Sequence, residues 1–143
     1  MIKKIVMTGG DGRFAQILKK KNKKLNIFYP NKKELNILNI NSIKKYLKKI
    51  KPKYVIHAAA LSRPMKIHDK KISKSIDLNI IGTCNVVKIC SDLKIKLIYF
   101  STGYVYEGKI GNYKENEPIL PINNYAWSKL GGECAVTMYK NSL

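Results

Sequence analysis

Thr8-Gly9-Gly10-Asp11-Gly12-Arg13-Phe14-Ala15 decides the reading of the fold, because of what stands on either side of it. Before it, Ile2 to Met7 is a strand candidate ending in Ile5-Val6-Met7. After it, Phe14, Ile17 and Leu18 recur at helical spacing. Strand, Gly-rich turn and helix in that order are the context that a dinucleotide-binding turn requires. Gly9 permits the tight turn, Gly12 lets the backbone approach a pyrophosphate, and Ala15 is small enough for close helix–strand packing. The helix N-terminus adds free N–H groups and a positive dipole end for phosphate. An ordinary strand-to-helix turn uses the same residues, so the reading rests on the rest of the chain.

Outward from that turn, short apolar runs alternate with helical stretches, the pattern of a parallel α/β sheet. Leu25 to Tyr29 is a second strand, ended by Pro30. Ile43, Tyr46, Leu47 and Ile50 share one helix face, with Pro52 just beyond. Lys53 to His57 is a third strand running into Ala58-Ala59-Ala60. Ile76, Ile80, Cys84 and Val87 mark a long helix to about Leu93, and Lys96 to Phe100 is a fourth strand. A loop with Gly103, Gly108, Gly111, Pro118 and Pro121 leads to a last helix, from about Asn124 to about Lys140. The expected fold is a Rossmann-type doubly wound parallel sheet in three α/β/α layers, with strand order 2-1-3-4 and right-handed crossovers. Such folds usually continue past four strands. Residues 1–143 therefore read as one NAD(P)-binding domain cut short before its last strands.

Composition narrows the functional classes. A hydrophobic share of 45% and a charged share of 26% suit a globular chain. No apolar run reaches the ~20 residues of a spanning helix, and the N-terminus carries no signal-peptide pattern, so a cytoplasmic location is expected and no membrane partner. The net charge is +19, yet 26 of the 28 basic residues are Lys, leaving Arg13 and Arg63. Bidentate phosphate and base contacts favour Arg, so the excess reads as solvated helix faces rather than a nucleic-acid footprint. Cys84, Cys90 and Cys134, with His57 and His68, show no metal spacing, and no metal is expected.

Two further segments carry chemistry. In Tyr125-Ala126-Trp127-Ser128-Lys129, Tyr and Lys at i and i+4 share a helix face. An ammonium beside the phenol is expected to depress its pKa toward acid–base work near neutrality. The pair also occurs by chance on a Lys-rich helix. Support comes from Phe100-Ser101-Thr102-Gly103-Tyr104-Val105-Tyr106 at a strand end, where open α/β sheets bind ligands.

Together these segments resemble the N-terminal half of the extended short-chain dehydrogenase/reductases. The matching pieces are T-G-x-x-G-x-x-A, V-I-H-A-A-A, Asn79-Ile80-Ile81-Gly82-Thr83, F-S-T-x-x-V-Y and Y-x-x-S-K-L-x-G-E. Within that superfamily S-T-G-Y-V-Y-E-G is most similar to the dTDP-4-dehydrorhamnose reductase branch. The resemblance implies an NAD(P)-dependent oxidoreductase that reduces a nucleotide-activated 4-keto-deoxysugar. It implies Tyr125 as proton donor, Lys129 on the nicotinamide ribose, and Thr102 orienting the substrate oxygen. Gly9, Gly12, Arg13 and Phe14 would meet the pyrophosphate, Asn36 and Ile37 the adenine, and Ala58, Ala59 and Ala60 the cofactor channel. Asn79 matches a residue near the family site and equally suits a buried helix polar group. After Tyr29 there is no acid until Glu34, whereas Lys32 and Lys33 are at hand, so NADP is expected over NAD. Partners implied are a nucleotide sugar and a second copy in a homodimer. A nucleotide-sugar epimerase or dehydratase shares the same trio. A catalytically inactive cofactor-binding fragment is the third reading, because the family's substrate lobe follows these segments, and the short chain alone is expected to turn over little.

Overall fold

The computed structural model describes residues 3–109 and 111–143. Four parallel strands, β1 (Lys4–Thr8), β2 (Asn26–Phe28), β3 (Tyr54–His57) and β4 (Lys96–Tyr99), stand in the expected order β2-β1-β3-β4. Ile2, the first residue of the expected strand, lies outside the described residues. Val6 sits beside Val55, and Val55 beside Leu97, all three fully buried, so one apolar row crosses the middle of the sheet. Ile43, Leu47, Val86 and Cys90 close over it from helices α2 (Ile40–Ile50) and α5 (Gly82–Asp92). Burial drives the Cys90 thiol up to about 12, which makes it an inert packing group.

Local chemistry sets the helix ends. Asn39 caps α2 by accepting from the Ser42 N–H at 3.1 Å, and Lys51 in the left-handed region ends it before Pro52. Helix α1 (Arg13–Lys21) buries only Ala15, whereas Phe14 and Ile17 are exposed. Helix α6 runs Asn124–Thr137, capped by Asn123 on the Ala126 N–H, and ends sooner than the expected Lys140. Beyond it the chain turns back beside β4. Leu97 donates to Asn141 at 3.0 Å, and Leu143 donates to Leu97 at 2.8 Å, giving parallel pairing on the outer side of the sheet.

The long helix departs from its expected face. It runs through α4 (Ile72–Ser75), a π-helical turn (Ile76–Ile81) and α5, preceded by the short α3 (Ile67–Lys70). A π turn inserts an extra residue and rotates everything beyond it. Ile76, where the turn begins, is exposed and Ile80 within it is only half-buried, while Asn79 and Thr83 are buried. The 3.6-residue spacing of Ile76, Ile80 and Cys84 could not reveal that rotation.

Candidate active site

Thr8, His57 and Tyr99 stand side by side at the C-terminal ends of β1, β3 and β4. The first two begin a buried hydrogen-bond chain whose protons can be assigned. Thr83 donates its one hydroxyl proton to the Asn79 carbonyl at 2.7 Å. Facing His57 Nε2 at 3.0 Å it must therefore accept, which puts the imidazole proton on Nε2. Nδ1 is then bare and accepts from the Thr8 hydroxyl at 2.7 Å. The Thr8 oxygen in turn accepts the Ala58 and Ala59 N–H groups, both at 3.2 Å. Every donor is used. Burial pushes the His57 pKa down to about 3, with Lys129 adding repulsion, so the ring stays neutral as the network requires.

This network fixes the backbone against which the Gly-rich turn packs. Gly9 has φ of 73°, and a Cβ there would stand 2.9 Å from the Ala59 Cα. At Gly10 a Cβ would strike the Tyr29 carbonyl and lie 2.6 Å from the Pro30 oxygen, so the segment leaving β2 also demands a glycine. The α1 N-cap is Gly12, which has no side-chain cap, and its first N–H groups are left to a ligand. Gly9, Gly10, Asp11, Gly12, Lys32, Leu35, Ala58, Ala59, Ala60 and Leu78 line a cavity of about 250 Å³. A second cavity of about 780 Å³ shares Asp11 and Lys32 and adds Asn31, Lys33, Asn36, Asn39 and Ser42. Arg13 opens α1, and the exposed Phe14 ring meets Phe100 edge-on at 5.3 Å. Ile37, the other residue expected near the adenine, turns its side chain inward. Its side chain is 5% exposed and packs toward Gly82 in the core, and its carbonyl accepts from Asn85 at 3.0 Å.

Across the sheet edge, Thr102 and Tyr125 line one cavity of about 730 Å³ with Ser62, Arg63, Pro64, Met65 and Tyr104. Lys129, one turn after Tyr125, is only 3% exposed. Its ammonium lies over the Tyr99 ring, 4.1 Å from the centroid, and Tyr99 donates its hydroxyl proton to the Lys129 carbonyl at 3.1 Å. Burial lowers the Lys129 pKa to about 8, with Glu133 pulling it back up. The expected depression of the Tyr125 pKa by Lys129 is not what the structure gives. Burial raises it, as does Tyr104, and hydrogen bonding from Thr102 works the other way. Lys129 shares its helix face with Tyr125, and its ammonium rests over the Tyr99 ring.

Asn79 ties these parts together, joining the two readings left open for it. Its Nδ2 donates to the Leu61 carbonyl at 2.9 Å and to Ser128 Oγ at 2.8 Å, and its Oδ1 accepts from the Leu61 N–H at 2.7 Å. Ser128 donates to the Tyr125 carbonyl at 2.7 Å. One buried amide thereby registers α6 against the loop leaving β3. Ser62, Arg63, Pro64 and Met65 escaped the sequence reading as parts of this wall, because a wall built from loops leaves no periodic signal. The hydrogen bond between Thr8 and His57 escaped it because the two lie on different strands, far apart in sequence.

Comparison with known proteins agrees with this geometry. The family described as RmlD substrate binding domain matches residues 3–143. The dTDP-4-dehydrorhamnose reductase of Bacillus anthracis, solved in complex with NADP, superposes with a TM-score of 0.90 at 30% identity, covering 99% of this chain and 51% of that one. Methionine adenosyltransferase 2 subunit beta of Xenopus laevis is 34% identical over 102 residues, 71% of this chain and 30% of its own length. The dTDP-4-dehydrorhamnose reductase of Aggregatibacter actinomycetemcomitans is 27% identical over 134 residues, 91% of this chain and 45% of its own length. The chain spans from under a third to about half the length of these relatives. By fold, site order and family match, it belongs to the RmlD substrate binding domain family.

Proposed function

We propose that the chain carries the cofactor site and the proton-donor site of an NADP-dependent reductase acting on a nucleotide-activated 4-keto-deoxysugar. The observation that carries this reading is the 730 Å³ cavity, which brings Thr102 and Tyr125 together beside the sheet edge where the Gly-rich turn lies. The residues present fit a dinucleotide: an uncapped helix start, a backbone cradle that admits no Cβ at Gly9 or Gly10, and a channel walled by Ala58 to Ala60. Gly9, Gly12, Arg13 and Phe14 face the pyrophosphate in this reading, and Lys32 and Lys33 face the ribose phosphate that distinguishes NADP. Asn31 lines the same cavity as these lysines, with its Oδ1 already accepting the Lys33 and Glu34 N–H groups. Asn36 lines the same cavity, whereas Ile37 supports it from the core. When bound, NADPH supplies the hydride.

The chain's own groups do the rest. Thr102 holds the keto oxygen by hydrogen bonding, and Tyr125 gives that oxygen its phenolic proton as negative charge develops there. A phenol whose pKa is raised stays protonated at neutral pH, which suits a donor to a ketone. Lys129 holds the ribose hydroxyls and offsets the charge left on Tyr125. The exposed Trp127 on α6 and Met138 just beyond it, with Ile76 and Ile81 in the π-helical turn, offer apolar surface for pairing of two copies.

NADPH oxidation with a dTDP-4-keto-6-deoxysugar tests the reading, using this chain and this chain joined to the C-terminal half of the Bacillus anthracis relative. Tyr125→Phe is expected to reduce the rate at least about a hundredfold in the active form. An unchanged rate would remove Tyr125 from its role. The likeness to a protein named as a subunit of methionine adenosyltransferase 2 favours a second reading, a cofactor-binding subunit without turnover. Tight NADPH binding with no oxidation in either form would favour it.

A further inference from the structure

The cavity beside Tyr125 contains a residue that no step above uses. Arg63 is one of two arginines among 28 basic residues, in a chain that otherwise places Lys wherever it needs a cation. The other, Arg13, opens the helix after the Gly-rich turn. A site that needs only positive charge accepts Lys, and a site that needs the planar fork does not. Arg63 is exposed, and the cavity it lines is bordered by Ser62, Pro64, Met65, Thr102, Tyr104 and Tyr125, hydroxyls and apolar groups with no carboxylate among them.

The wall bearing Arg63 is fastened to the catalytic helix at both ends. On one side, Leu61 is held through its N–H and its carbonyl by Asn79, which also holds Ser128. On the other, the buried His68 ring lies 5.1 Å from the Tyr125 ring, and His68 Nδ1 is 2.6 Å from Ser75 Oγ. Asn124 donates to the Asp69 carboxylate at 2.9 Å. Leu61, His68 and Asp69, on either side of Arg63, are thus registered to Tyr125 and its helix, and the short segment between them is held at both ends.

We infer that Arg63 is a specificity-determining residue that grips the diphosphate of the nucleotide-activated substrate while Thr102 and Tyr125 meet its sugar. The inference rests on the reading under Proposed function and adds an anchor to it. A fork on two phosphate oxygens fixes both distance and orientation, and so sets how far into the cavity the sugar reaches.

The test titrates dTDP, thymidine and inorganic pyrophosphate into the NADP-saturated chain by calorimetry, with Arg63→Lys and Arg63→Met alongside. The inference expects dTDP to bind with an affinity that falls as salt rises. Arg63→Lys should weaken dTDP about tenfold and Arg63→Met more, leaving thymidine unchanged. Pyrophosphate should compete with dTDP for the wild type and not for Arg63→Met. NADP affinity should be the same in all three proteins, which shows each variant folded. Arg63→Lys binding dTDP within about twofold of wild type would overturn the anchor. So would NADP binding without any dTDP binding, which leaves the cofactor reading standing. Failure of the wild type to bind either ligand would overturn that reading and the anchor with it.

Discussion

Replacing Lys129 by Met should make the chain more stable, although it removes a group the proposed chemistry needs. Lys129 is 3% exposed, and its pKa falls from 10.5 to about 8 because burial strips water from the ammonium. At about 1.4 kcal/mol for each tenfold change, that drop places about 3 kcal/mol against the charged form at neutral pH. The Tyr99 ring beneath the ammonium returns about 0.5–2 kcal/mol, which the variant forfeits. Methionine is unbranched and of similar length, so it fills the same space. The expected net gain at pH 7 is about 1–3 kcal/mol. Its pH dependence is more telling. Between pH 8 and 10.5 the native state has lost the Lys129 proton while the unfolded chain keeps it, so wild-type stability rises with pH in that window. Lys129→Met has no such rise, and the difference between the two proteins should close by pH 10.5. Urea unfolding of both proteins from pH 7 to 10.5 measures this, and other groups titrating there cancel in the difference. A variant less stable than wild type at pH 7, or a difference flat across the window, would refute the reasoning.

Other outcomes follow from the same geometry. Gly10→Ala forces a Cβ against the Tyr29 and Pro30 carbonyls and should lower unfolding free energy by about 1–3 kcal/mol, read by urea denaturation. His57, held neutral with a pKa of about 3, is protonated in the unfolded chain below pH 6.5, so native stability falls as pH drops from 6.5 toward 3. His57→Gln, though weaker at pH 7, should remove as much as about 4 kcal/mol of that decline in acid-unfolding curves. Replacing Lys32 and Lys33 by Gln should lower NADP affinity several-fold at low salt with little change for NAD, measured by calorimetry. Equal losses for both cofactors would detach these lysines from the choice.

The framework was legible because its signals are local. The four strands fell within one or two residues of their expected ends, since short apolar runs bounded by Gly, Pro and Lys leave little alternative. The Gly-rich turn was legible for the same reason, although the role of Gly10 against β2 needed the neighbouring strand in view. The π turn at Ile76–Ile81 is hidden from the sequence, because it shifts register without changing composition. The site was half legible: Thr102, Tyr125 and Lys129 come from short motifs, and Thr102 and Tyr125 share one cavity. Their electrostatics were not, since the Tyr99 ring that engages Lys129 comes from another strand. Asn79 was suspected on resemblance alone, and its grip on Leu61 and Ser128 depends on contacts far apart in sequence.

The central claim is that the turn at Gly9 to Ala15, the Ala58 to Ala60 channel and the Tyr125–Lys129 helix form one nucleotide site. Backbone amide NMR of the chain titrated with NADPH tests it most directly. The account predicts that the largest shifts fall on residues 9–15, 32–33, 58–60 and 129, with α2 beyond Tyr46 and the outer pairing at residues 141–143 unmoved. Shifts concentrated on the lysine-rich outer face of α2, or spread evenly over the exposed lysines, would contradict it.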